Sequence, residues 1–166
     1  FLRAFMYFTL VKCYGGVPII DHVPNPSLEE DRVMQLTRKS KAEVYAFIEK
    51  DLNDAIAVLP NKSSYPLAER GRASLGAAHA LLAKVSLYQG KWQQVIDNCD
   101  AVTGYSMVTD YASQYRLAGE FDSESIFEIS GVGSNPAKGV QGYSVSQGAR
   151  GAGGWGWGFN TPSMSL

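Results

Sequence analysis

Between Ser74 and Gly104 the apolar residues recur at three- and four-residue steps in two runs, and one glycine, Gly90, divides them. The first run carries Leu75, Ala78, Leu82 and Val85 and continues to Tyr88 or Gln89. The second carries Trp92, Val95, Ile96, Cys99 and Val102. This is the period that an α-helix with one buried face imposes. Ser74 stands where an N-cap would accept a backbone amide, and Gly90 and Gly104 stand where each helix stops. The stretch from Gly76 to Ala83 is rich in small residues, which lets a neighbouring helix approach closely. Two helices of about fifteen residues joined by so tight a turn fold back as an antiparallel helical hairpin. One such hairpin cannot bury both of its faces, so it needs helical neighbours.

Two further helices are legible. Residues from about 1 to 14 carry Leu2, Phe5, Met6, Phe8 and Leu10 and end at Tyr14-Gly15-Gly16. This segment is apolar nearly all round, which predicts burial on most sides. Val17 to Ile20 reads as extended. Asp21 to Lys39 is rich in proline and charge and reads as a long surface loop. The next helix opens on Ser40-Lys41-Ala42-Glu43, a capping box in which Ser40 and Glu43 satisfy each other's amides. Val44, Phe47, Ile48, Leu52, Ala55, Ile56 and Leu59 then share a face, and Pro60 closes it.

Past Gly104 the pattern weakens. Tyr105 to Val108 and Ser125 to Ile129 read as short strands, Tyr111 to Leu117 as a helical turn. Gly131 to Gly158 is dominated by glycine, serine and aromatics and reads as loop or irregular strand. The expected architecture is mostly α: a single domain over 1–166, with a helical-repeat scaffold over about 1–104 and an irregular strand and loop region over about 105–166. With no initiator methionine and a last stretch, Pro162 to Leu166, that reads like entry to another element, the chain is expected to be an excerpt of a longer protein.

Composition removes several function classes. With 45% hydrophobic and 19% charged residues the chain can form a packed core. Fifteen basic against 16 acidic residues give a net charge of −1, without the basic face that nucleic acid requires. No apolar stretch reaches the roughly 18–20 residues that span a bilayer. The two cysteines, Cys13 and Cys99, sit on apolar stretches without zinc-ligand spacing. They fit either a disulfide or two buried free thiols, the usual state of an unpaired cysteine in such a setting.

The run from Ala80 to Ile96 resembles a tetratricopeptide repeat: small residues, an aromatic, a glycine at the turn, and an aromatic opening the second helix. Three other stretches extend the likeness. Phe1-Leu2-Arg3-Ala4-Phe5-Met6-Tyr7-Phe8 followed by Tyr14-Gly15-Gly16-Val17-Pro18, then Gly71-Arg72-Ala73-Ser74, then Glu124-Ser125-Ile126-Phe127-Glu128-Ile129, resemble in order and spacing the signatures of SusD/RagB-like proteins. The resemblance implies a SusD-like α-superhelix and a surface-exposed outer-membrane lipoprotein of nutrient uptake. Such a protein captures glycan, or in some members peptide, and passes it to a TonB-dependent SusC-like transporter. It implies no enzyme and no cofactor. The family's N-terminal lipid-attachment cysteine and its large C-terminal region have no counterpart here, and Cys13, inside a helix, is no substitute. A helical-repeat adaptor binding a protein partner would use the same scaffold.

The segment from Gly148 to Phe159 is the most unusual in composition. Gly151, Gly153 and Gly156 satisfy GxGxxG literally, but neither the preceding strand nor the helix start that a dinucleotide loop requires is visible, and Trp155 would crowd a phosphate. A better functional reading is a loop presenting Trp155, Trp157 and Phe159, with Tyr143, to the apolar faces of sugars, and Arg150 and Asn160 to their hydroxyls. At about 0.5–1.5 kcal/mol per ring, two or three rings supply roughly 1–4 kcal/mol. Even about 4 kcal/mol is only millimolar, which suits capture and release. The same residues also fit a core plug, since Trp155 and Trp157 share a face if the chain is extended.

Catalysis lacks a visible constellation. Asp51 and Asp54, or Glu120, Asp122 and Glu124, can be cast as paired carboxylates for glycoside hydrolysis. The first pair reads as solvated on a polar helix face, and the second group as a surface loop. His22 and His79 are not spaced to serve a nucleophile.

Overall fold

The computed structural model describes residues 1–116 and 119–130. The chain divides into two units, Phe1–Glu128 and Ile129–Leu166, and the fold below is that of the first. Its α-helices are α1 (Leu2–Tyr14), α2 (Glu29–Leu36), α3 (Lys41–Ile56), α4 (Leu75–Leu87) and α5 (Trp92–Asp100), with short 3-10 turns at Lys62–Ser64, Leu67–Glu69 and Tyr111–Tyr115. The mostly α, tetratricopeptide-like architecture is as expected.

Helix α3 is the centre. Val44, Ile48 and Leu52 are fully buried on it, between Ala4, Tyr7, Phe8 and Val11 of α1 and Leu81, Leu82 and Val85 of α4. Complete burial of side chains this size contributes about 1.5–3 kcal/mol each, so these three residues hold the helix in place. The capping box forms as the sequence predicts: the Glu43 amide donates to Ser40 Oγ at 3.2 Å and the Ser40 amide to Glu43 Oε2 at 2.8 Å.

Helix α4 is buried nearly all round because it lies between α3 and α5. Its N-terminus is capped by Ser74, whose Oγ accepts from the Ala77 amide at 3.3 Å. The hairpin turns at Gly90, with φ of +71°. Antiparallel packing of α4 on α5 is fixed by His79 Nδ1 with Asn98 Oδ1 at 2.9 Å and by Ser86 Oγ donating to Gln94 Oε1 at 3.4 Å. Glu49 of α3 accepts from Gln89 Nε2 at 2.7 Å and pairs with Lys91, which ties the turn to the core.

Several expectations change. Helix α1 buries one face only: Leu2, Met6 and Tyr14 stay exposed, since α3 is its helical neighbour among the described residues. Cys13 lies on that outward face and Cys99 on α5, which has no fully buried residue, so both thiols are free and exposed rather than buried or paired. The loop from Asp21 to Lys39 contains α2. Its buried residue is Asp31, not an apolar stripe, so no hydrophobic period announced it.

The two expected strands, Tyr105–Val108 and Ser125–Ile129, do not form. The first segment does pair once with the chain just before the second, the Ser106 amide donating to the Ser123 carbonyl at 2.9 Å. A ladder stops there because side chains take the amides: Asp122 Oδ1 accepts from Glu124 at 2.9 Å and Ser125 at 3.2 Å, and Glu124 Oε2 from Val108 at 3.0 Å. Phe127 instead anchors its segment to α1, with its ring 5.1 Å from that of Phe1 and 6.1 Å from that of Phe5.

Candidate functional site

Trp155, Trp157, Phe159, Tyr143, Arg150 and Asn160 all lie outside the described residues, as does the glycine-rich segment around them. The described part of the chain nevertheless builds an open, irregular surface between the 3-10 turns that precede α4 and the loops that follow α5.

Its organiser is Lys62. The ammonium donates to the carbonyls of Asp122 at 2.7 Å and Ser125 at 2.6 Å, and stands 5.8 Å from the centre of the Tyr105 ring. Burial holds its pKa below the ordinary lysine value, against the opposing pull of Glu128 and Asp122. Tyr105 in turn reaches α4: its hydroxyl shares a hydrogen bond with Ser74 Oγ at 3.0 Å. Gly76 makes room for it, because a Cβ there would sit 2.5 Å from the ring. The glycine in the small-residue run thus admits a tyrosine from a loop, where the sequence suggested only a neighbouring helix.

Phe121 completes the arrangement. It adopts φ of +56°, the one non-glycine residue with positive φ among those described. A bulky side chain in the left-handed region costs on the order of 1–3 kcal/mol, and such strain gathers at ligand-contacting sites. Two features hold it there: its amide donates to Glu128 Oε1 at 2.8 Å, and its ring packs on the backbone of Gly71. Lys62, Arg70, Tyr105, Phe121 and Asp122 together line a cleft of about 230 Å³. A second, about 490 Å³, lies among Gln114, Arg116, Glu120 and the segment Glu124–Glu128.

Sequence reasoning missed this cleft because its members come from residues far apart in the chain. One local signal was present: Asp122 followed by Ser-Glu-Ser is the pattern of an aspartate that captures amides two and three residues on.

The candidate acid–base groups are spent on structure. Asp51 is buried, not solvated, and accepts a bidentate pair from Arg3; Asp54 is exposed and paired with Lys50 at 2.6 Å. Asp122 and Glu124 hold loop amides. His79 is engaged with Asn98, and His22 lies between Asp21 and Asp31. No group of three or more potential metal ligands occurs among the described residues, and no described helix is long and apolar enough to cross a membrane.

The described part of the chain is thus a set of packed helical pairs that carries an irregular surface with aromatic rings and cationic donors. Comparison with known proteins identifies the family. The SusD-like family, described as starch-binding and associating with the outer membrane, matches residues 1–87, just over half of the chain. The chain belongs to the SusD-like family. It is 30% identical over 132 residues to a SusD-like protein of Formosa agariphila, covering 78% of this chain and 24% of that one. A crystal structure of a SusD-like protein from Bacteroides fragilis superposes with a TM-score of 0.69 at 37% identity, over 77% of this chain and 25% of that one. A laminarin-binding SusD-like protein superposes with a TM-score of 0.68 at 35% identity, over 78% of this chain and 29% of that one. The chain therefore spans about a quarter of the length of these relatives.

Proposed function

We propose that this chain is the scaffold portion of a non-catalytic glycan-capture protein at the outer-membrane surface, which hands oligosaccharide to a TonB-dependent SusC-like transporter. The observation that carries the reading is the shared fold at 35% identity with a protein that binds laminarin. The chemistry agrees with it. Asp51, Asp54, Asp122 and Glu124 each hold an amide or a cation, which supports a structural role for them.

In this reading the helices position and the irregular regions bind. Trp155, Trp157 and Phe159, with Tyr143, stack on sugar faces, while Arg150 and Asn160 bond hydroxyls. Stacking of this kind is weak per ring, so exchange with a transporter stays fast. Affinity electrophoresis of the intact protein in polysaccharide gels tests the assignment. Retardation should be lost in Trp155→Ala and Trp157→Ala; retardation equal to the unmodified protein would remove these residues from the site.

A further inference from the structure

The cleft between the turns before α4 and the loops after α5 has a one-sided hydrogen-bonding inventory. Its carboxylates are engaged. Asp122 Oδ1 takes the amides of Glu124 and Ser125, and its Oδ2 takes the Gln114 side chain. The Ser123 hydroxyl spends its proton on the Ser106 carbonyl at 3.1 Å, and the Tyr105 hydroxyl shares a hydrogen bond with Ser74 Oγ. Glu128, close enough to act on Lys62 through space, holds the Phe121 amide.

Its donors are in surplus. Lys62 has three N–H bonds and spends two on the carbonyls of Asp122 and Ser125. Arg70 lines the same cleft, is exposed, and has no side-chain partner among the described residues, whereas its neighbour Arg72 is paired with Glu69 at 3.0 Å. A guanidinium offers a planar fork that matches a carboxylate or sulfate. The partly buried rings of Phe121 and Tyr105 add apolar faces beside it. A ligand that fits must bring acceptors, preferably charged ones, on a body flat enough to lie against an aromatic ring.

We propose that the cleft lined by Lys62, Arg70, Tyr105 and Phe121 is a subsite for a sugar residue carrying an anionic substituent, a carboxylate or a sulfate. The proposal rests on the glycan-capture reading and adds a ligand class and a location separate from the glycine–aromatic segment. Arg70 supplies the bidentate contact, Lys62 a point charge from below, and Phe121 the stacking face. The lowered pKa of Lys62 fits an ammonium whose burial an arriving anion would offset.

Titration calorimetry on the intact protein tests this with three ligands: a neutral gluco-oligosaccharide, an oligogalacturonate and a sulfated galacto-oligosaccharide. Arg70→Ala is the informative variant, because the side chain holds no described structural contact; Arg70→Glu reverses the charge. Either acidic ligand, or both, should bind, and the one that does identifies the anion. Arg70→Ala should weaken that binding about tenfold, as loss of a charge-assisted contact does, and Arg70→Glu further. Neutral-ligand affinity should stay unchanged in both, and acidic-ligand affinity should fall with added salt. Neutral binding without acidic binding, or acidic binding indifferent to both variants, would overturn the subsite alone. Failure of all three ligands would overturn the glycan reading and the subsite with it.

Discussion

Arg3 grips Asp51 with two hydrogen bonds, Nε to Oδ2 at 2.7 Å and Nη2 to Oδ1 at 2.6 Å, across the interface of α1 and α3. Its third nitrogen bonds the Asp21 carbonyl at 2.9 Å, and the guanidinium lies 4.7 Å from the centre of the Phe47 ring. Asp51 is 7% exposed, so loss of the arginine leaves a buried carboxylate without its hydrogen-bonding partner. Removing one member of a fully buried pair costs about 3–5 kcal/mol. Arg3 itself is 43% exposed, so water discounts the loss in Arg3→Ala to about 2 kcal/mol. Arg3→Lys keeps the charge but not the fork and should recover only part of it. Chemical denaturation of the variants measures both.

The two glycines after α1 do different work. Gly15 takes φ of +71° with nothing near the place of a Cβ, whereas a Cβ on Gly16 would overlap the Lys39 carbonyl oxygen. The close approach allows Lys39 to donate its amide to the Val17 carbonyl at 3.1 Å and Arg38 Nε to reach the Gly16 carbonyl at 2.6 Å. Gly15→Ala should cost about 1–3 kcal/mol of backbone strain, because ψ of −123° puts the residue outside the left-handed helical well. Gly16→Ala forces the two backbones apart and should cost about 2–3 kcal/mol. Thermal melts should show a drop for both variants, through backbone strain at Gly15 and through steric overlap with Lys39 at Gly16.

His22 gives the loop before α2 a pH dependence. Nδ1 lies 2.6 Å from Asp21 Oδ1 and Nε2 lies 2.9 Å from Asp31 Oδ1, so both nitrogens face acceptors and the imidazolium alone satisfies both. These bonds, that to Asp21 foremost, raise the His22 pKa above 6.5. The Asn25 amide and His22 lower that of Asp31 below 3.8, and His22 lowers that of Asp21. The histidine's contribution is whole below pH 6.5 and is lost as pH rises through its raised folded value. The carboxylates' contribution is whole above pH 3.8 and is lost as pH falls through their depressed values. Melting temperature should thus fall on the alkaline side in the unmodified protein, and His22→Gln should flatten that limb while the carboxylates stay ionised.

Much of this scaffold was legible in the sequence because its determinants are local. Ser40 with Glu43, Ser74 with the Ala77 amide, and Gly90 at the hairpin are contacts within a few residues, and the stripe on α3 repeats with the helix. What escaped notice depends on partners far along the chain. Asp51 reads as solvated until Arg3, 48 residues away, is brought beside it. Helix α2 escaped because a carboxylate is what it buries. The cleft escaped because Lys62, Arg70, Tyr105 and Phe121 meet only after α4 and α5 have folded back. The strands expected at Tyr105 and Ser125, the second from its apolar alternation, do not form because Asp122 and Glu124 take amides that pairing needs.

The central claim is that the intact protein captures glycan through aromatic residues and leaves it uncut. Its most direct test is calorimetric titration with a panel of polysaccharide-derived oligosaccharides, followed by chromatography of the same mixtures. Reversible binding is expected with Kd between about micromolar and millimolar, lost in Trp155→Ala and Trp157→Ala, with every oligosaccharide recovered at its starting length. Absence of binding to any glycan, or recovery of shortened products, would contradict it.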